Sequence, residues 1–350
     1  MAPVRPCWGI RRWRLIWGCE WGNPLVTAIA AFWHHESMTT HLTPAQTAQV
    51  LPYPALARQL ESLLRDPTVT VPARLVQPLV GGGSLFVMPA TDACLAISKL
   101  ITFIPDNATR GLPSIQGDVV VFDATTGQRL CILDGPTVTA RRTAAVSLLA
   151  AQKLPCNTDG PLLVVGAGVQ GHSHVEAFAA GLGVREVWVA SRTAHSADAL
   201  VRHCHSLGLR AKRVDDANAA LIHCPLVVST TSAQAVALRA MPRPDAFVAA
   251  VGSFTPRMVE WDAAICRRLA LEGTLVVDTR DADHEAGDLL QAGVDVGALP
   301  TLGDVVTQTP AWTGCASSRS AGPVFFKSCG WAGWDLAAAR CAVEAGGLAR

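Results

Sequence analysis

Residues 162–171 constrain this chain more than any other stretch. The apolar run Leu162-Leu163-Val164-Val165 leads directly into Gly166-Ala167-Gly168-Val169-Gln170-Gly171, and a helical pattern comes next. A strand, a G-x-G-x-x-G turn and a helix in that order form the entry to a βαβ unit built around a dinucleotide pyrophosphate. In that arrangement Gly166 permits the tight turn and Gly168 lets the backbone approach the phosphates. Gly171 lets helix and strand pack closely, while the helix N-terminus faces the anionic charge.

Beyond the loop, strands and helices alternate. Strands at Glu186–Ala190, Leu226–Ser229, 246–251 and Thr274–Val277 are interleaved with helices at 170–180 and 196–207, which implies a parallel, doubly wound sheet. Upstream, Thr43-Pro44 reads as a helix start, and Leu56, Leu60, Leu63 and Leu64 have helical spacing. Short β-rich runs at 68–71, 85–88, 97–103, 118–123 and 130–133 are separated by turns such as Gly81-Gly82-Gly83 and Thr125-Thr126-Gly127, the pattern of a largely antiparallel sheet. An Ala- and Leu-rich helix at 136–153 closes at Pro155. Past residue 305, Val324-Phe325-Phe326 and a final helix at 334–344 are expected to return to the first domain. The expected architecture is α/β: a Rossmann doubly wound sheet (155–304) inserted into a mixed α+β substrate and dimerisation domain (38–154 with 305–350). Residues 1–37 hold Trp8, Trp13, Trp17, Trp21 and Trp33 and are expected to be a leader, disordered or mis-assigned.

The end of the second strand chooses the cofactor. A carboxylate about 20 residues beyond the glycines would accept from a ribose 2′-OH. Here the strand ends in Ser191-Arg192-Thr193, with no carboxylate to repel a 2′-phosphate and an arginine fork that can pair with one. NADPH is the expected cofactor, with NADH as the alternative. Ser229 and Thr230, Gly252-Ser253 and Asp278-Thr279-Arg280 close later strands at the carboxyl edge, where such sites form. His172 and His174 come just after the loop, and approach to phosphates and helix packing are equally open for them.

Composition narrows the partners. Lys+Arg 29 against Asp+Glu 28 give a net charge of +1, so no basic field exists to neutralise a nucleic acid. The apolar run 24–33 is too short to cross a bilayer. Eleven cysteines with no C-x-x-C exclude zinc-ribbon and thioredoxin motifs, and their odd, scattered number fits reduced, cytoplasmic thiols. No metal is expected: His203-Cys204-His205 reads as a solvated helix whose neighbours point to different faces, and His34-His35-Glu36 falls in the leader.

Arg74, Lys99 and Arg142 interrupt otherwise apolar or small-residue surroundings, where charges require partners. Singly, each reads as a structural or surface ion pair. Converging, they would make a pocket for a small carboxylate, with an arginine fork supplying bidentate geometry.

In order along the chain, Met88-Pro89-Ala90, Lys99-Leu100-Ile101-Thr102, Pro105-Asp106-Asn107, Gly111-Leu112-Pro113-Ser114-Ile115-Gln116-Gly117, Leu133-Asp134-Gly135, Thr139-Ala140-Arg141-Arg142-Thr143-Ala144-Ala145, Val165 to Gln170 and Phe326-Lys327-Ser328 resemble the ornithine cyclodeaminase and mu-crystallin family. The resemblance runs from about residue 42 to residue 345. It implies a homodimer of two-domain subunits, in a family that includes ornithine cyclodeaminases, alanine dehydrogenases and reductases of cyclic ketimines. The family's carboxylate-binding residues map onto Arg74, Lys99 and Arg142, whereas Arg141 falls on a position that need not be basic. Among the segments that carry the resemblance, Ser114 and Ser328 are expected at the cofactor.

One departure matters. The catalytic Asp of the cyclodeaminases maps onto Ala233, so ring-closing ammonia release lacks its base. Direct imine reduction needs none. The expected reaction is therefore hydride transfer from NADPH to the C=N carbon of Δ1-pyrroline-2-carboxylate or Δ1-piperideine-2-carboxylate, giving proline or pipecolate. Arg74 and Arg142 would hold the carboxylate and Lys99 would orient it. The alternatives are an ornithine cyclodeaminase with another base, an alanine-type dehydrogenase, and a non-catalytic NADPH-dependent carrier of a small ligand.

Overall fold

The computed structural model describes residues 40–80, 82–154, 157–231, 235–308 and 322–347. The expected leader, Ala233, Gly81 and Pro155 lie outside them. The chain forms two compact units, one from residues 40–52, Pro67–Thr139 and 335–347, the other from Tyr53–Asp66 and Ala140–Trp334.

The first unit is built on a six-stranded sheet of β1 (Thr40–His41), β2 (Leu75–Pro78), β3 (Ser84–Thr91), β4 (Leu95–Phe103), β5 (Ile115–Asp123) and β6 (Arg129–Asp134), in the order β1-β6-β5-β4-β3-β2. All neighbours are antiparallel except β1 and β6. Strand alternation sets the faces: Leu95, Ile97, Lys99 and Ile101 of β4 are buried, as are Val119 and Val121 of β5 and Cys131 and Leu133 of β6. Helix Pro44–Gln49 begins as its sequence predicts, with Thr43 and Gln46 forming a reciprocal capping box. The carboxylate of Asp92 accepts from the backbone N–H groups of Cys94 and Leu95 and pairs with Arg340 at 2.6 Å, tying the C-terminal helix to the β3–β4 turn.

The second unit carries a seven-stranded, wholly parallel sheet: β7 (Leu162–Val165), β8 (Glu186–Ala190), β9 (Arg210–Arg213), β10 (Leu226–Ser229), β11 (Phe247–Ala250), β12 (Thr274–Val277) and β13 (Val324–Lys327), in the order β12-β13-β11-β10-β7-β8-β9. The four-residue runs β7, β10, β11 and β13 are buried throughout, as parallel strands covered on both faces must be. Strand order reverses between β7 and β10, and the crevice beyond their carboxyl ends is where such sheets bind ligands.

Three differences from the sequence-based expectations have physical causes. β13 does not return to the first domain but lies between β11 and β12, because a strand buried along its whole length needs a ladder on each side. The division falls after Thr139, within helix Gly135–Lys153, and after Trp334, rather than at 154 and 305: Ala144 to Ala151 are buried, and a Cβ added at Gly181 would meet Leu148 at 2.5 Å. Residues 68–71 form no strand beyond one bridge, Thr70 to Thr91, and β9, a cationic edge strand, carries no apolar signal to be read. No helix among the described residues is long and apolar enough to cross a membrane.

Phe325 of β13 is fully buried and meets the Trp261 ring edge-on at 5.4 Å between centroids. Phe325→Ala is expected to cost about 3–5 kcal/mol of stability, read from the shift of the urea unfolding midpoint.

Candidate functional site

The glycine loop has the geometry its sequence calls for. Gly166 has φ +111°, and a Cβ there would lie 2.8 Å from the Thr230 backbone. Gly171 approaches so closely that a Cβ would be 2.2 Å from the Gly166 carbonyl oxygen. Gly168, the N-cap of helix Val169–Leu182, faces open space instead, and Val169 beside it is 70% exposed. A closed turn with one open glycine at a helix N-terminus fits a pyrophosphate, which needs bare backbone N–H groups and room. Thr230 holds the loop from β10: its N–H donates to Val165 and its hydroxyl to Gly166, at 2.8 and 3.0 Å.

At the end of β8, Ser191 bonds the Ser196 hydroxyl at 2.9 Å, and Thr193 caps helix Ala194–Ser206. Arg192 between them is exposed. Two arrangements therefore sit at the carboxyl edge of β7 and β8: a pyrophosphate-type loop and an exposed guanidinium.

The carboxyl ends of β10, β11 and β13 are held by a buried polar network that no sequence motif announced. Glu260 accepts from the Ser229 hydroxyl, the Thr231 N–H and hydroxyl, and the Gly252 N–H, all between 2.6 and 3.0 Å. Asp288 accepts from the N–H groups of Glu260 and Trp261 and pairs with Lys327 at 3.0 Å. Lys327 also donates to the carbonyl and hydroxyl of Ser253. Burial pushes the Glu260 carboxyl above its usual range, against the pull of Lys327. Burial alone would lower the Lys327 ammonium, but Asp288, Cys329 and Glu260 together outweigh it and the pKa is raised. Ser229 is thus committed inward, as is Ser253. At Gly252 a Cβ would lie 2.0 Å from the Thr231 carbonyl oxygen, so only glycine fits.

Asp278, directly after β12, organises the next turn. One of its oxygens accepts from the Ser328 hydroxyl at 3.0 Å and from the N–H groups of Cys329 and Gly330 at 2.9 and 2.8 Å. Gly330 has φ +97°, and a Cβ there would lie 3.3 Å from both terminal nitrogens of Arg142. Arg142 itself is buried in helix Gly135–Lys153. Arg280, by contrast, is spent on the carbonyls of Gly297 and Leu299 and on Asp304, so it is not available to a cofactor.

In the first unit, Lys99 stands on the apolar face of β4, almost fully buried, with its ammonium 2.9 Å from Asp335. Asp335 is absent from the sequence-predicted residues, although a lone acid inside Trp334-Asp335-Leu336-Ala337 is a legible signal. Arg74 lies half-buried with its guanidinium 5.9 Å from the Phe86 ring centre. Ser114 is half-buried, its carbonyl accepting from Ile104.

The histidines resolve into packing roles. His174 is buried between the Gln170 carbonyl and the Ser147 hydroxyl, and burial lowers its pKa to about 4. His172 bonds the Gly168 carbonyl at 3.0 Å. His203 meets Glu176, His205 meets the Ala211 carbonyl, and Cys204 faces the core. Glu176 also takes Tyr53 and Arg141, and Arg141 stacks over the Tyr53 ring at 3.9 Å. No group of three metal-ligating side chains occurs among the described residues.

A doubly wound sheet with this loop at its reversal point defines a dinucleotide-binding protein of the Rossmann class. Residues 50–345 match the model of the ornithine cyclodeaminase/mu-crystallin family, and the chain belongs to that family. It is 40% identical over 317 residues to Delta(1)-pyrroline-2-carboxylate reductase 1 of Burkholderia multivorans, covering 88% of this chain and 96% of the relative. It is 39% identical over 306 residues to the Delta(1)-pyrroline-2-carboxylate/Delta(1)-piperideine-2-carboxylate reductase of Azospirillum brasilense, covering 86% and 94%. An archaeal alanine dehydrogenase dimer with bound NAD shares the fold, with a TM-score of 0.77 at 22% identity over 88% of this chain and 95% of the other.

The buried charges make stability testable. Lys327→Met leaves Asp288 and Glu260 without their cation and is expected to cost about 3–5 kcal/mol in chemical denaturation. His174 titrates at 6.5 when unfolded and about 4 when folded, so its contribution is complete above pH 6.5 and is lost as pH falls from there through 4. The loss is about 3 kcal/mol, and His174→Gln should flatten that part of the stability-versus-pH curve.

Proposed function

We propose that this chain reduces a cyclic ketimine 2-carboxylate, Δ1-pyrroline-2-carboxylate to L-proline, Δ1-piperideine-2-carboxylate to L-pipecolate, or both, using NADPH. A bound nicotinamide cofactor supplies the hydride; the protein binds and orients. The loop Gly166–Gly171 binds the pyrophosphate through backbone N–H groups, and Arg192 pairs with the 2′-phosphate. Thr230 and the Glu260 network keep that loop and the strand ends in place. The observation that carries the reading is Arg142, a buried guanidinium packed against the Gly330 turn inside the nucleotide-binding unit. A buried guanidinium there is suited to a substrate carboxylate, which is the shared feature of the substrates named for the two bacterial relatives. Arg74 and Lys99 are proposed as carboxylate-binding residues, as the family resemblance implies, Lys99 with its ammonium oriented by Asp335. Positioning the imine carbon for hydride attack is the main catalytic contribution.

We also propose a cytoplasmic homodimer. The odd, scattered number of cysteines in the sequence supports the compartment, and the dimer named for the archaeal neighbour supports the assembly, together with the exposed Leu75 and Val76 of edge strand β2.

NADPH oxidation measured with each imine, beside an assay of ammonia from ornithine, tests the reaction. Imine-dependent oxidation without ammonia is expected. Ammonia and proline from ornithine without added reductant would sink the reading, and tight NADPH binding with neither reaction would replace it with a ligand carrier. Arg142→Ala is expected to raise the imine KM or abolish turnover while leaving NADPH affinity nearly unchanged. Arg192→Ala should weaken NADPH binding by about tenfold and NADH binding little, measured by fluorescence titration.

A further inference from the structure

We propose that Asp278 is the positioning residue for the substrate carboxylate: by clamping the Ser328–Gly330 turn, it sets where the Arg142 guanidinium lies. The inference rests on the carboxylate role given to Arg142 above. Asp278 is buried to 1% exposure, and its two oxygens take four donors: Thr279 N–H on one, and Ser328 Oγ–H, Cys329 N–H and Gly330 N–H on the other. Three donors converging on a single oxygen leave the turn one arrangement, since any rotation of the carboxylate or shift of residues 328–330 strands a buried polar group. The turn is also anchored from β11, where the Ser328 N–H donates to the Ala250 carbonyl at 3.0 Å.

Gly330 converts that rigidity into a surface for arginine. Its N–H is held by Asp278, its φ of +97° suits glycine alone, and its bare Cα faces the fork of Arg142, where a methyl would sit 3.3 Å from both terminal nitrogens. The guanidinium is therefore backed by a fixed wall rather than by a mobile loop. A guanidinium recognises a carboxylate through two parallel hydrogen bonds, so a small displacement of that wall misaligns both. Asp278 touches no reacting atom in this scheme and acts only through the turn.

The test uses pyrrole-2-carboxylate, a flat carboxylate that NADPH cannot reduce, titrated calorimetrically into the full chain with NADPH present. Asp278→Asn is expected to weaken its Kd by about tenfold while NADPH Kd moves no more than about twofold. Gly330→Ala should do the same with the Asp278 carboxylate intact, which separates displacement of the guanidinium from loss of the clamp. Placed in an Arg142→Lys background, Asp278→Asn should add no further loss, because both changes spoil one interaction. Additive losses in the double variant, or carboxylate affinity retained while NADPH affinity or Tm falls, overturn the proposal. Unaltered enzyme that binds pyrrole-2-carboxylate yet oxidises no NADPH with either imine overturns the reaction and leaves the positioning role standing. Failure of the unaltered enzyme to bind this carboxylate while it oxidises NADPH with an imine overturns the positioning role and leaves the reaction standing.

Discussion

Lys327 carries a full charge at zero exposure, in the middle of a parallel sheet, and the nucleotide-binding unit depends on the way that charge is satisfied. Its ammonium pairs with Asp288, Asp288 holds the backbone of Glu260 and Trp261, and Glu260 gathers donors from Ser229, Thr231 and Gly252. The three charged members are fully buried, so removing any one leaves the next without compensation. The return for that cost is geometric: strand ends β10, β11 and β13 are locked to one another at the edge where a ligand would sit. Thr230, one residue beyond β10, is positioned by this lock and in turn holds the Gly166 carbonyl.

Asp278 does the same for the neighbouring turn. Between them the two networks hold the carboxyl ends of β10, β11, β12 and β13. Their hydroxyls and carboxylates face inward toward each other. Two glycines leave room instead: Gly168 presents bare backbone to open space, and Gly330 presents its Cα to Arg142. Rigid support behind and small residues in front suit a site that works by alignment, which is the main demand of hydride transfer to a bound imine.

The first unit shows the same use of a buried pair. Lys99 enters the apolar face of β4 by strand alternation, and Asp335 meets it there from the C-terminal helix. The sequence marked Lys99 as a cation in an apolar strand, but its partner is 236 residues away, and nothing in local pattern links them. The same holds for Arg340 and Asp92.

Sequence alone determined the local elements whose signals are local. The strand-glycine-helix entry at 162–171, the helix start at Thr43-Pro44, the edges of β7, β8, β10 and β12 and the lack of a carboxylate at the end of β8 were all legible. Backbone conformation and burial leave their marks within a few residues. Only tertiary structure decided the rest. Whether Val324–Lys327 belongs to one domain or the other depends on which open ladder it completes, and its apolar residues suit either. Whether Ser229, Ser253 and Arg280 serve a ligand or the fold depends on what they meet: Glu260, Lys327 and the carbonyls of Gly297 and Leu299 have claimed them. Partnership of buried charges is a long-range condition, imposed when the chain closes on itself, and no window of sequence contains both halves of it.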